Sequence, residues 1–215
     1  MLKRKITAVV PIKLNNERVP GKNTKILGGH PMISYILQAL LDCNRCDEIY
    51  VYCSQESIIP YLPEGVKFKK RSEHLDLPTA NFTQIFEQVL LDIPSDIYVY
   101  AHATAPFLKA DTIRQCIHAV ADGPYDSSFT ATKIQDFLWM NGKPLNFDAC
   151  NLPRSQDLEP IYRETSGIWV LKKEVFTSYR RRIGKNPCIV EVPFKESIDI
   201  NTPEDFQLAE IMQNY

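Results

Sequence analysis

The chain has no excess of either charge: 25 Lys plus Arg stand against 26 Asp plus Glu, a formal net charge of -1. No global positive field draws it to nucleic acid or to an anionic membrane surface, so any anion site must be local. Long apolar runs are missing as well. After the basic start Met1 to Lys5, the apolar stretch runs only from Ile6 to Ile12 and already contains Pro11. That is too short for the core of a secretory signal or for a membrane span. The six cysteines, Cys43, Cys46, Cys53, Cys116, Cys150 and Cys188, therefore read as reduced thiols of a cytoplasmic protein rather than a disulfide framework. Cys43 and Cys46 form a lone C-x-x-C without the second pair or spaced His residues that zinc requires, and they read as small residues ending an amphipathic helix. There is no G-x-G-x-x-G, and Gly21-Lys22 lacks both the upstream glycine and the following Ser or Thr of a P-loop. Internal repeats, low-complexity segments and linkers are absent too.

What remains is 215 residues with 44% apolar content, enough for one well-buried core and short for two. The expectation is one domain over residues 1–215, with a small excursion. Runs rich in β-branched and aromatic residues at 6–10, 48–53, 66–68 and 97–101 suit buried strands. Helical spacing separates them. Ile33, Ile36, Leu37, Leu40 and Leu41 follow Pro31 at a first helical position; Phe82, Ile85, Phe86, Val89 and Leu90 form a second stripe; Ile113, Cys116, Ile117 and Val120 form a third, capped at Asp111. This alternation predicts an α/β fold, a mostly parallel, Rossmann-like sheet with helices on both faces. Further on, 127–133, 167–171 and 188–192 read as strands, Asn141-Gly142 as a tight turn, and 148–164 as a long polar loop. The last helix has Thr202 as cap, Pro203 at its first position and Asp205 in the capping-box place.

Ligands of parallel α/β sheets sit outside the carboxyl ends of the strands, which directs attention to the loop after the first one. Between Pro11 and Asn23 it packs Lys13, Arg18, Lys22, Asn15, Asn16, Asn23 and the turn residue Gly21. A polyphosphate needs such a cradle, because cations neutralise its charge while amides and backbone N–H groups fix its oxygens. An ordinary solvated basic loop is the alternative.

The segment Val10-Pro11-Ile12-Lys13 through Arg18, then Pro20-Gly21-Lys22-Asn23, resembles the amino-terminal signature of the acylneuraminate cytidylyltransferases, or CMP-sialic acid synthetases. The resemblance implies a GT-A-like nucleotidyltransferase fold in which Lys13, Arg18 and Lys22 hold a triphosphate. Lys22 would stand closest to the α-phosphate, and Asn15 and Asn23 would contact the nucleotide. The chain departs from the common form in Asn15-Asn16-Glu17. Arg71 to Asn81 looks like the family's Arg-Pro-x-x-Leu-x-x-Asp-Thr segment, with Pro78 in place of its Asp, which assigns Arg71 and Asn81 to the cytidine; Thr79 reads equally well as a helix cap. His102 stands at a strand end where the family shows Gln, and its imidazole can supply a comparable hydrogen bond or simply be structural. The carboxylate that the Kdo-specific relatives carry there is absent.

The loop from Leu152 to Arg163 resembles the family's Pro-Arg-Gln region, so Arg154, Gln156 and Arg163 are candidates for binding a sugar carboxylate. Either arginine equally suits a pairing with Asp157 or Glu159. The same region implies contacts in a homodimer. Glu196 to Phe206 resembles the Ser-Ile-Asp-Ile-Asp-Thr-x-x-Asp-Phe signature, which makes Asp199 the principal Mg²⁺ ligand and Asn201, in the place of the second Asp, a weaker one. The expected activity is transfer of CMP from CTP to an acidic, sialic-acid-like 2-keto sugar, with Lys22, Arg18 and Asp199 carrying the chemistry. Two rivals stay open: a nucleotidyltransferase of the same fold with a phosphorylated or non-sugar acceptor, and a non-catalytic CTP-sensing module.

Overall fold

The computed structural model describes residues 3–214; Met1, Leu2 and Tyr215, which the expected 1–215 domain includes, lie outside the described residues. Among the described residues, eleven strands and five α-helices follow in chain order. They are β1 (Ile6–Ile12), β2 (Ile26–Leu27), β3 (His30–Pro31), α1 (Met32–Asp42), β4 (Glu48–Cys53), β5 (Val66–Lys70), α2 (Phe82–Asp92), β6 (Ile97–Ala101) and α3 (Ala110–Ala121). Then come β7 (Ser127–Ile134), β8 (Trp139–Met140), β9 (Lys143–Pro144), β10 (Ile161–Lys172), α4 (Lys173–Tyr179), β11 (Pro187–Glu191) and α5 (Pro203–Met212).

Seven strands build the main sheet in the order β11-β7-β10-β6-β1-β4-β5. β1 runs parallel to β4 and β6, β4 to β5, and β7 to β11; only β10 is antiparallel to its neighbours. The mostly parallel sheet expected from the alternating pattern is thus present. α1 and α3 pack Ile33, Ile36, Leu37, Ile113 and Ile117 against one face through Ala8, Val10, Val51 and Val99. α2 and α4 cover the other through Phe86, Val89 and Phe176 against Tyr98, Tyr100 and Trp169. Each such fully buried apolar side chain contributes about 1.5–3 kcal/mol relative to exposure. β1, with helices on both sides, is buried along almost its whole length, which is why it reads as a continuous apolar run rather than an alternating one.

Helix starts differ in detail from the sequence pattern. Pro31 is the cap residue and α1 begins at Met32. Neither Asp111 nor Thr79 caps a helix. α3 starts after Lys109, with Asp111 inside its first turn, and Asn81 caps α2 through a capping box with Gln84. Since Lys109 offers no side-chain cap, the buried carboxylate of Glu196 supplies one from far along the chain, accepting from the Lys109 N–H at 3.1 Å and Thr112 Oγ1 at 2.6 Å. Those bonds hold the short 3-10 turn Phe194–Ser197, which leads to Asp199, against α3. Thr202, Pro203 and Asp205 start α5 as their pattern predicts.

The polar loop expected at 148–164 ends earlier, because Ile161 already begins β10. Its first residues pair with Ile134 to Ala131 beyond the helix-covered core, so Tyr162 and Arg163 stay exposed and lack the apolar signature of a buried strand. Asn141 and Gly142, at φ 52° and 76°, form the tight turn between β8 and β9. That small hairpin and the loop to Pro160 make the excursion from the sheet.

Candidate functional site

Three elements meet at the carboxyl ends of β1 and β6. The loop after β1 turns back at Gly21, whose φ of +63° an L side chain rarely adopts. Asn23, buried, donates to the Lys13 carbonyl oxygen at 2.9 Å and so closes that loop on itself. The segment at Ile200 is fixed from two sides: its N–H donates to the Thr104 carbonyl oxygen just past β6 at 2.8 Å, and its own carbonyl oxygen accepts from Lys22 Nζ at 2.9 Å. β10 completes the wall. A register shift between Glu164 and Trp169 places Ser166 at φ 58°, and Gly167 offers its carbonyl oxygen to the His102 N–H at 3.0 Å.

These elements enclose a cavity of about 540 Å³ lined by Lys13, Asn16, Arg18, Lys22, Asn23, His102, Thr104, Ser166, Asp199 and Asn201, among others. Asp199 is the one carboxylate among its lining residues, against three cationic side chains. Lys22 has its pKa lowered, first by burial and then by Arg18 and Lys13, while Asp199 pulls the other way. The Arg18 Nη2 donates to Asn201 Oδ1 at 3.1 Å, and Asn201 Nδ2 donates to Asp199 Oδ2 at 2.7 Å. Asp199 Oδ1 is buried with no hydrogen-bond partner. A buried carboxylate oxygen left without a donor is costly, and a hard cation is the partner it suits.

A second lobe of about 210 Å³ shares Pro11, Lys13 and His102 with the first and extends to Arg71, Pro78, Ala80 and Tyr100. Arg71 is buried, its Nη2 donating to Asp76 Oδ1 at 2.6 Å, while Ser54 Oγ donates to the other Asp76 oxygen at 2.5 Å. Its Nε has no partner. His102 is half-buried between the rings of Tyr100 and Trp169, with centroids at 5.5 and 4.9 Å. Burial pushes its pKa down to about 4, against the opposing charge of Asp199, so the ring is neutral near pH 7. A third lobe of about 280 Å³ opens beyond Ser166 and Asp199 and is lined by Arg163, Glu164, Phe194 and Asp205.

The residues singled out in the sequence divide accordingly. Lys13, Arg18, Lys22, Asn23, His102, Asp199 and Asn201 come together; Arg71 and Arg163 line the two adjoining lobes. Asn15 borders a further depression with Gln55 and Glu73 that shares Leu77 and Pro78 with the Arg71 lobe, and the Asn81 side chain is spent on the α2 cap. Arg154 is exposed and grips Asp157 through two bonds of 2.7 and 3.0 Å, which is the pairing its neighbourhood allows in sequence. Gln156 is exposed on the same excursion. Ser166, Thr104 and Tyr100 enter the cleft without a role assigned from sequence; they carry no charge, and the register shift in β10 brings Ser166 there. Arg182 was equally silent, yet it stacks 4.3 Å over Trp169 and pairs with Glu164, which also accepts from the Trp169 indole N–H at 2.9 Å. It thereby fixes the ring that His102 packs on.

A family model described as cytidylyltransferase matches residues 7–211. The chain belongs to the cytidylyltransferase family. Among curated relatives, a CMP-N,N'-diacetyllegionaminic acid synthase of Legionella pneumophila is 29% identical, with 96% of this chain and 95% of that protein covered. An N-acylneuraminate cytidylyltransferase of Oncorhynchus mykiss is 25% identical over 97% of this chain, which spans 50% of that longer protein. Among solved structures, a CMP:2-keto-3-deoxy-manno-octonic acid synthetase complexed with CTP superposes with a TM-score of 0.73 at 15% identity, covering 98% of each chain, a likeness of fold. None of the helices among the described residues is long and apolar enough to cross a membrane.

Proposed function

We propose that this cytidylyltransferase transfers CMP from CTP to an acidic 2-keto sugar of the nonulosonic type, with release of pyrophosphate. The observation that carries the reading is the cavity where Lys13, Arg18 and Lys22 surround the single carboxylate Asp199, one of whose oxygens is buried and unpartnered. The activities for which the Legionella pneumophila and Oncorhynchus mykiss relatives are named agree with it.

In this reading the triphosphate lies in the 540 Å³ cavity, the base in the lobe with Arg71, and the acceptor in the lobe with Arg163. The sugar's anomeric hydroxyl attacks the α-phosphorus and pyrophosphate leaves. The displacement needs charge stabilisation and alignment more than covalent help from the protein. Lys22, pinned to the Ile200 carbonyl, meets the phosphoryl oxygens without having to reorganise. Arg18 and Lys13 offset the charge of the departing pyrophosphate, and the Arg163 guanidinium suits the acceptor's carboxylate. The hard oxygen donor Asp199 fits Mg²⁺, which Asp199 would hold and which would supply Lewis-acid charge to the phosphates. Asn201 enters as a weaker ligand at most, because its carbonyl oxygen already accepts from Arg18.

The excursion supports a homodimer. Phe137, Trp139, Met140 and Leu145 are exposed there, and Phe147 packs edge-on to the Phe137 and Trp139 rings at 4.9 and 5.4 Å. Arg154 and Gln156, on the same excursion, would then recognise the acceptor across such an interface rather than within one chain. A cytoplasmic setting suits the free thiols.

The test is pyrophosphate release from CTP and Mg²⁺ with a panel of nonulosonic acids and sugar phosphates. Release with at least one 2-keto acid is expected; release only with a phosphorylated or non-sugar acceptor would replace the acceptor assignment, and none at all would overturn the enzymatic reading.

A further inference from the structure

Asn201 is bonded through both ends of its side-chain amide and through its backbone N–H. Its amide nitrogen donates to Asp199 Oδ2 at 2.7 Å, its oxygen accepts from Arg18 Nη2 at 3.1 Å, and its backbone N–H donates to Asp205 Oδ2 at 2.9 Å. Asn201 therefore spans two groups of opposite charge without carrying charge itself. We infer that Asn201 is a positioning residue that holds the Arg18 guanidinium, un-neutralised, on the triphosphate, and that the divalent cation enters with the nucleotide rather than binding the free protein. The inference rests on the nucleotide reading above and extends it to how charge is divided in that site.

A carboxylate at position 201 would change both neighbours. It would sit against Asp199 Oδ2, where two negative oxygens tolerate each other only with a proton or cation between them. It would also form an ion pair with Arg18, cancelling the charge that a phosphate would otherwise meet. The amide keeps the geometry and spares the charge.

The remaining donors point the same way. Among the described residues no group of three or more His, Cys, Asp or Glu side chains could hold a metal ion. Asp205, which lines the adjoining lobe together with Asp199, accepts through Oδ2 from the Asn201 and Thr202 N–H groups, bonds that start α5. In the cavity that faces the three cations the free protein thus offers a metal one carboxylate, Asp199, with Oδ1 as its unpartnered buried oxygen, whereas Mg²⁺ commonly takes one or two carboxylates together with substrate phosphates. With Lys13, Arg18 and Lys22 facing the cavity, the protein's own cations supply charge that additional metal would otherwise bring.

The experiment is calorimetric binding of CTP in excess EDTA to the wild type, Arg18→Ala, Asn201→Ala, Asn201→Asp and the two double variants, with melting curves to confirm folding. Asn201→Ala should weaken metal-free CTP binding about 3-fold and Asn201→Asp about 10-fold or more, in line with loss of one charge-assisted contact. In the Arg18→Ala background the Asn201→Ala effect should vanish, and that of Asn201→Asp should shrink to direct repulsion alone. Undiminished effects in the Arg18→Ala background would overturn the positioning role. The Asn201→Ala cycle decides this even if Asn201→Asp does not fold. Separately, Mn²⁺ titration followed by electron paramagnetic resonance should show no binding to the free wild type below about millimolar concentration, the weak end of carboxylate sites. Micromolar Mn²⁺ binding without nucleotide would overturn the order of entry. A wild type that binds no CTP at all would instead remove the nucleotide reading on which the inference stands.

Discussion

Lys22 Nζ donates to the carbonyl oxygen of Ile200 at 2.9 Å, joining the loop after β1 to the residue between Asp199 and Asn201. The ammonium is thus placed by the protein before any substrate arrives. Lys22→Ala should lower kcat by about 10²–10³, the usual loss for one preorganised charge-stabilising donor. Steady-state kinetics checks this, and a rise confined to KM would make Lys22 a uniform binding residue.

Asp199 should be needed for metal-dependent turnover and dispensable for folding. Asp199→Asn keeps an oxygen to accept from Asn201 Nδ2 and removes the charge of the unpartnered oxygen. The expected result is a wild-type melting temperature, or a slightly higher one, with activity largely abolished at limiting Mg²⁺. Wild-type activity at limiting Mg²⁺ would send the search to another carboxylate.

His102 gives the folded state an acid sensitivity of known sign. Burial lowers its pKa to about 4 in the fold from the ordinary histidine value of 6.5. Between those values the unfolded chain binds the proton and the folded one does not, so stability falls as pH drops through that window and levels below about 4. Denaturant titrations from pH 7 to 4 should show a shallower decline for His102→Gln than for the wild type. Equal slopes would mean that other groups set the acid limb.

The parts of this molecule that could be read from sequence are those where one residue's chemistry suffices. Thr202, Pro203 and Asp205 announce α5 because a cap is a local hydrogen-bond problem, and Lys13, Arg18 and Lys22 announce an anion site because charges cluster within one loop. Residues that act through distant partners stay silent. Glu196 caps α3 from more than eighty positions away, Arg182 braces Trp169 after an undistinguished basic run, and Ser166 reaches the cleft only through an irregularity in β10. Arg154 shows the converse. Its charge is plain in the sequence, but the bond to Asp157 keeps it on the excursion.

Arg71 and Asp76 give the last prediction, on base choice. The pair is almost wholly excluded from water, with side-chain exposures of 3% and 9%, and Ser54 occupies the second Asp76 oxygen. Arg71 Nε lies buried without a partner beside the lobe that suits a base. Cytosine presents acceptors at O2 and N3, whereas uracil carries a hydrogen on N3, so a fixed donor there favours CTP and meets UTP donor to donor. One buried donor left unsatisfied costs about 1–3 kcal/mol, so CTP should be preferred over UTP by about 10- to 100-fold in kcat/KM. Arg71→Lys, which lacks the planar fork, should erode that ratio more than it lowers the CTP rate itself. Asp76→Ala should do more than disturb selectivity, because it leaves a buried guanidinium uncompensated; a loss of about 3–5 kcal/mol in stability is expected by denaturant melting. Equal use of CTP and UTP by the wild type would remove Arg71 from base recognition and leave the pair a purely structural one.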